Sequence, residues 1–428
     1  MWVSSSRHNQ HPDGCAHDFA QRTPSPIRPP SGFLSNDLLD SDVIAATLEQ
    51  RRLARGDFAD PSAGLRFFAG SGEGGLLVAG GAGGGGGDPV FDSTRAGTTH
   101  VLASTKETVQ VGVMDPSLPA VLTIDSGDVV QYPDTWYMWG NEPQFGMSFE
   151  DREPIRRKYA QGPYSMPGPV AIRGAEPGDV IECRMLKLRP SAWGWNSAPH
   201  GVGALPDDFA TPYLHYVRFD DARTSAEFTD GVRIPLRPIQ GVISVQPASD
   251  KPVSAILTGA WGGNIVLSEL VAGTSLFLPV QVSGGKMWTG DSHAAQGDGV
   301  VNQTAIETAM DDLQIQYVLH KGRALWGPIA ETPTHWITLG YSDGSLDDAL
   351  TSALRNAIAW LSAATRLSAQ DIYALYSIVG SFRVTQYAHQ LGTVYSSVPA
   401  KTVHGMLPKT VFAPEIRAAI SAHFRTFT

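Results

Sequence analysis

"AVLTIDSGDVVQY", residues 120–132, alternates apolar and polar side chains on both sides of a Ser-Gly-Asp turn. A period of two is what a half-buried strand needs, because successive side chains point to opposite faces. The spacing predicts a hairpin of strand, tight turn and strand. "GPVAIRGAEPGDVIECRMLKLRP", residues 168–190, repeats the pattern around the turn "GAEPGD". Further β-like runs occupy residues 234–247, 274–284, 305–320 and 334–342, with Gly and Pro punctuating the chain between them. Short strands at such intervals predict a mostly β chain with a sandwich or jelly-roll-like core. The long βαβ alternation of a Rossmann or TIM-type sheet is not there.

Helical spacing appears late. In "SLDDALTSALRNAIAWLSAATRL", residues 345–367, Leu346, Leu350, Leu354, Ile358 and Leu361 recur on one face, behind a Ser345 cap and first-turn acids. "SAQDIYALYSIVG", residues 368–380, opens on a Ser368–Asp371 pair resembling a capping box. The expected layout is therefore a β-rich region over 96–340 and an α+β part over 341–428, its helices packed on the sheet.

Residues 1–95 have a different texture. The run "AGSGEGGLLVAGGAGGGGGDP", residues 69–89, is too glycine-rich to pack a core and reads as a loose linker. One island at 37–58 has helical spacing through Leu39, Val43, Ala46 and Leu48. This leader is expected to be a flexible arm bearing one short helix. Gly70, Gly72 and Gly75 match G-x-G-x-x-G, but more glycine follows where the dinucleotide fingerprint needs a helix. His8, His11, Cys15 and His17 have metal-like spacing without a rigid frame, and read as solvated residues.

Bulk composition narrows the class. The 428 residues are 42% hydrophobic and carry a net charge of −10, without the basic patch of a nucleic-acid binder. No segment approaches the roughly 18 apolar residues of a membrane span, and the first residues lack the apolar stretch of a secretory signal. Two cysteines, Cys15 and Cys183, cannot make a disulfide framework, so a reducing compartment is expected. The expectation is a cytoplasmic protein acting on a small molecule, with neither nucleic acid nor membrane as partner.

The chemistry concentrates in "GDSHAAQGDG", residues 290–299. Asp291, His293 and Asp298 are acid–base or metal-ligating types, set among residues small enough for a substrate to approach the backbone. Asp291 and His293 are two apart, so in a strand they share a face. A carboxylate beside an imidazole fixes its tautomer, raises its basicity or shares a metal with it. Gln296 adds a neutral hydrogen-bonding group. "WGGN", residues 261–264, offers Asn264 as donor and acceptor, and both turns flank the strand at 274–284, so they could lie on one rim of a sheet. Other catalytic layouts are missing: no G-x-S-x-G elbow, P-loop or H-E-x-x-H occurs, and Cys183 sits in an apolar strand.

Taken in order, these motifs resemble the acetamidase/formamidase family. "PAVLTIDSGDVV" and "GPVAIRGAEPGDVIEC" resemble its early and central hairpins, and residues 262–299 its longest signature. "DIYALYSIVGSFRVTQ" and "LPKTVF" resemble its closing segments. The resemblance covers roughly residues 98–412. It implies a mostly β fold, a homo-oligomer, and hydrolysis of small linear amides to ammonia and a carboxylate. Asp291, His293, Gln296, Asp298, Asn264 and Glu307 match the family pattern, and His100 stands where the family often carries a histidine. Three positions depart from it: Val300 replaces a glutamate, Val266 an aspartate and Trp261 a histidine. A valine can neither hold a cation nor move a proton. The implied site has Asp291, His293 and Asp298 as catalytic residues, with Asn264, Gln296, Trp261 and His100 binding substrate. Asp291 and His293 would hold a zinc-like divalent ion, if one is used. The alternative is a reassigned scaffold that performs a lyase or isomerase reaction, or only binds a ligand.

Overall fold

The computed structural model describes residues 90–91, 97–209, 211–323, 325–387 and 394–425. The arm expected over 1–95, with its helix, glycine run and His/Cys cluster, lies outside the described residues apart from Val90 and Phe91.

The chain is mostly strand, gathered into two large sheets. The nine-stranded sheet runs in the order Thr99–Val101, Val129–Tyr132, Met310–His320, Val180–Pro190, Ser275–Pro279, Ile329–Glu331, His335–Ser342, Lys401–Pro408, Ser381–Gln386. The seven-stranded sheet runs Tyr213–Arg218, Trp193–Ala198, Ile306–Glu307, Trp288–Ala295, Ile239–Ser244, Gly262–Asn264, Thr258–Gly259. Alternation explains the layering. Leu276 and Leu278 enter the largest apolar cluster with Ile181, Cys183, Ile315 and Ile337, and that cluster also takes Ile243 from the seven-stranded sheet. Phe277, between the two leucines, joins Val180, Trp336 and Leu407 in a second cluster beneath the late helices. The nine-stranded sheet is thus buried on both faces, which is why "SLFLP" is apolar without a break.

The two expected hairpins are not hairpins. Leu122–Ile124 pairs in parallel with Val170–Ile172, while Val129–Tyr132 pairs with Met310–His320 and Thr99–Val101. Val180–Pro190 lies between Met310–His320 and Ser275–Pro279. Each turn therefore passes the chain from a small two-stranded sheet to the large one. The Asp128 carboxylate helps fix the first turn, accepting from the backbone N–H groups of Thr98 and Asp125. Alternating patterns mark the strands but say nothing of which edge each one meets.

Both late helices form, over Leu346–Ala364 and Ala369–Val379, with Ser345 and Ser368 as caps accepting from the backbone of Asp348 and Asp371. The face of the first helix nearest the sheet is rotated from the one its leucines mark, although Leu354, Ile358 and Leu361 still pack into the core beneath it. Ala349, Ala353 and Ala357 are buried with Trp360 and Leu361, whereas Leu350 is exposed. Close approach decides this: a Cβ on Gly340 would stand 2.0 Å from the Ala349 carbonyl oxygen and 2.2 Å from the Ala353 nitrogen. The alanine stripe lets the helix backbone settle on that glycine. No helix among the described residues is long and apolar enough to cross a membrane.

Candidate active site

Three adjacent strands of the seven-stranded sheet build one row of side chains. Trp288–Ala295 supplies Asp291 and His293, Ile306–Glu307 supplies Glu307, and Trp193–Ala198 supplies Trp195. His293 is paired directly with Glu307, and Glu307 with Trp195. Directly opposed residues on neighbouring strands project to the same side, so this register brings the four together.

His293 Nε2 stands 3.2 Å from Asp291 Oδ2 and 3.2 Å from Glu307 Oε2, with all three side chains buried. Its other ring nitrogen, Nδ1, lies 2.7 Å from Gln296 Oε1. The Gln296 Nε2 donates to the Val266 carbonyl oxygen, which fixes which end of the amide faces the ring. Nδ1–H is then the donor, and Nε2 turns toward the carboxylates. Asp291 Oδ1, His293 Nε2 and Glu307 Oε2 have no directed hydrogen-bond partner. Burial opposes a charge on His293, but Glu307 and Asp291 outweigh it and hold its pKa well above the ordinary value. Burial pushes the Asp291 carboxyl above the usual carboxylate range; His293 pulls it back and Glu307 pushes it further. The two carboxylates therefore favour positive charge at Nε2.

A cleft opens over this row, lined among others by Trp139, Trp195, Tyr164, Tyr395, Arg152, Arg156, Ile256 and Gln386. Val266 and Val300, the two valines at expected carboxylate positions, line it as well. Five of its lining residues have positive φ: Asp291 (+57°), Val266 (+39°), Val300 (+45°), Trp139 (+54°) and Gln303 (+96°). Aspartate tolerates that region; a β-branched residue there is an outlier, at a cost of about 1–2 kcal/mol. Such strain persists only where the surroundings impose it, and it collects at functional sites. Burial raises the Tyr164 pKa well above its usual value, with the Asp291 and Glu307 charges adding to it, so the phenol stays a proton donor.

Gly241 makes room for the acid. It lies opposite Asp291, between the paired positions Val242–Gly290 and Gln240–Ser292. A Cβ there would meet Asp291 Oδ2 at 2.3 Å. Gly241→Ala is expected to keep the fold and displace the carboxylate, lowering kcat/KM by about 100-fold, the typical effect of a misplacement near 1 Å. Steady-state kinetics beside a urea midpoint would check this; unchanged kinetics would remove Asp291 from the reacting centre.

The other expected site residues sit elsewhere. Asp298 does not line the cleft: its carboxylate accepts from Ser268 Oγ at 2.8 Å and lies near Arg383, in a second group with Glu269 and His404. Asn264 is fully buried, donates one N–H of its Nδ2 to the Ile256 carbonyl, and does not line the cleft. Trp261 packs over Gly259 and Gly263 and is not part of the cleft wall. His100 pairs with Asp128 at 2.9 Å on the strand at one edge of the nine-stranded sheet. Gln296 holds His293 Nδ1 and does not line the cleft. The strand Ser275–Pro279 belongs to the other sheet; the strand between Asn264 and Asp291 is Ile239–Ser244. Sequence reasoning left out Arg152, Tyr164, Trp195 and Tyr395 altogether. Glu307 matched the family pattern but was given no role, although its pairing opposite His293 is the decisive contact.

Comparison with known proteins agrees with the geometry. The model of the Acetamidase/Formamidase family matches residues 102–256 and 250–413. A Schizosaccharomyces pombe protein bearing a formamidase name is 24% identical over 245 residues, 44% of this chain, and the match spans 58% of that relative's length. The crystal structure of acetamidase from Bacillus halodurans superposes with a TM-score of 0.65 at 26% identity, covering 73% of this chain and 98% of that one. Acetamidase from Yersinia enterocolitica gives a TM-score of 0.64 at 26% identity, covering 74% and 93%. With the matched segments taking in both Asp291–His293 and Glu307, this chain belongs to the acetamidase/formamidase family.

Proposed function

We propose that the protein is an amidohydrolase that cleaves the C–N bond of a linear amide to a carboxylate and ammonia or an amine. The observation that carries the reading is the convergence of two buried carboxylates, Asp291 and Glu307, on His293 Nε2, 3.2 Å from each, at an aromatic-walled cleft. Family membership supports the same chemistry.

The donor set suits a divalent cation. One imidazole nitrogen and two carboxylates offer atoms all within 4.8 Å of one another, and Gln296 fixes the imidazole tautomer that a ligand needs. Asp291, His293 and Glu307 would hold a zinc-like ion, and Val266 and Val300 could add nothing to it. When bound, the ion would supply Lewis acidity and make a bound water easier to deprotonate. The chain's own groups do the rest. A carboxylate of the Asp291–Glu307 pair accepts a proton from the attacking water. Tyr164 donates to the oxygen on which negative charge develops. The leaving nitrogen takes its proton from the same acid–base cluster. Val266, Val300 and Ile256 make the wall apolar, which favours an amide bulkier than formamide or acetamide.

Ammonia release from a graded series of amides, with and without chelator, tests this. Release that chelator suppresses is the expected result. No release from any amide would overturn hydrolysis in favour of a reassigned scaffold, and chelator-insensitive release would remove the metal alone.

We also read the protein as a cytoplasmic homo-oligomer. Exposed Leu205, Phe209 and Val301 border one apolar surface hollow, the kind of patch that subunit contacts cover, and Cys183 is a buried free thiol. A monomer in sedimentation would end the oligomer reading.

A further inference from the structure

The cleft holds a cation that hydrolysis does not use. Arg152 stands on the helix Phe149–Lys158, is 2% exposed, and lines the cleft. Its guanidinium carbon lies 4.2 Å from the Trp195 ring centre, 5.3 Å from Tyr216 and 5.4 Å from Trp139. Aromatic faces hold the group in place but satisfy none of its in-plane N–H donors. Nε and Nη2 are buried without a hydrogen-bond partner. Arg156, one turn along the same helix, is different: Glu153 pairs with it at 2.7 Å. Among the described residues no carboxylate pairs with Arg152.

A buried charge without a hydrogen-bonded partner is costly; burial draws the Arg152 pKa down to about 10, although Tyr216 and the more distant Glu307 charge oppose it. The planar fork of donors matches a carboxylate in two-point contact, the recognition for which arginine is suited above lysine. Trp195, on which Arg152 stacks, is paired with Glu307, and Glu307 with His293. The guanidinium and Glu307 line the same cleft, close enough for the Glu307 charge to act on Arg152.

From the open donors of Arg152 beside the Asp291–His293–Glu307 row, we infer that the substrate is an amide carrying its own carboxylate. The two groups would be a few carbon atoms apart, with the carboxylate held by Arg152 while the scissile amide lies over His293. This deepens the proposed hydrolysis and rests on that reading of the cluster for the amide end only.

The test uses binding and kinetics together. Wild-type protein would be titrated calorimetrically with succinamate, glutaramate and phthalamate, and with the neutral butanamide, pentanamide and benzamide. A phosphonate counterpart of succinamate separates carboxylate recognition from general anion binding. The acid amides should bind at least about 10–100-fold more tightly than their neutral partners, the range for hydrogen bonds to a charged group. Arg152→Gln should collapse that preference, and Arg152→Lys should restore part of it. Equal affinity for acid and neutral amides in the wild type would overturn the inference without any variant. So would a preference that survives Arg152→Gln, or stronger binding of the phosphonate. Tight Arg152-dependent binding of succinamate with no ammonia released would uphold the inference and sink hydrolysis. Turnover of neutral amides without acid preference would do the reverse.

Discussion

Asp291→Asn is expected to lower kcat/KM by at least about 10³-fold, the scale of losing an acid–base group, while the urea midpoint stays where it was. The choice of asparagine matters. Asp291 has a φ of +57°, and asparagine is one of the few side chains that tolerates that region. Alanine would add backbone strain to the loss of the carboxylate and confuse the two. Asparagine keeps the shape beside Gly241 and removes only the charge facing His293 Nε2. If the cluster holds a cation, the variant should also bind it less tightly, which metal content after dialysis would read. Full activity in this variant would sink the site assignment.

The largest stability effect is expected far from the cleft, at Glu182. This carboxylate is fully buried, with Oε1 accepting from Ser275 Oγ at 2.8 Å and from Arg425 Nη2 at 2.7 Å. Its Oε2 meets His320 at 3.0 Å and Arg184 at 3.0 Å. Arg425 also reaches Glu331 at 2.6 Å, so the C-terminal helix Pro414–Phe424 is anchored to the nine-stranded sheet through charge just past its last turn. Glu182→Ala should cost about 3–5 kcal/mol, because it leaves buried cations uncompensated. The urea midpoint should fall with the slope unchanged. Burial alone would raise the Glu182 pKa, but His320 and Arg425, with Arg184, outweigh it and depress it well below the carboxylate range. A depressed folded pKa contributes stability that is present above the unfolded value of about 4.3 and is lost as the pH falls toward the folded one. The wild type should therefore lose stability below about pH 4, and the variant should show a shallower decline there. Identical acid profiles would contradict the network.

How much of this could be read beforehand follows from the range of each signal. Asp291 and His293 were legible as a pair because two-residue spacing is local and a strand converts it directly into a shared face. Glu307 was only half legible: its contact with His293 depends on cross-strand register, which alternation does not carry. The same limit turned two strand–turn–strand segments into expected hairpins, when their partners lie elsewhere in sequence. Asp298, seven residues past Asp291, looked like its companion, but the chain leaves the strand at Ala295 and carries it to Arg383 and His404. Arg152 was invisible for the opposite reason. "SFEDREPIRRK" has the charge pattern of a solvated helix with a Ser148–Asp151 capping box. Nothing in it says that one arginine lies under a wall of tryptophans.

The helix that carries Arg152 has one more consequence. Its own cap and the Glu153 pairs stabilise it internally, and it meets the sheet through side chains, Arg152 on Trp195 and Ile155 in the same apolar cluster, not through a strand ladder. The reacting side chains, by contrast, come from two strands at the centre of a sheet. On the proposed reading, the reacting cluster and the arginine that selects the substrate's acid end would lie on separate stretches of chain. Lineages descended from a common ancestor can exchange or reshape the cover while the strands beneath stay fixed, acquiring new diets without relearning the reaction.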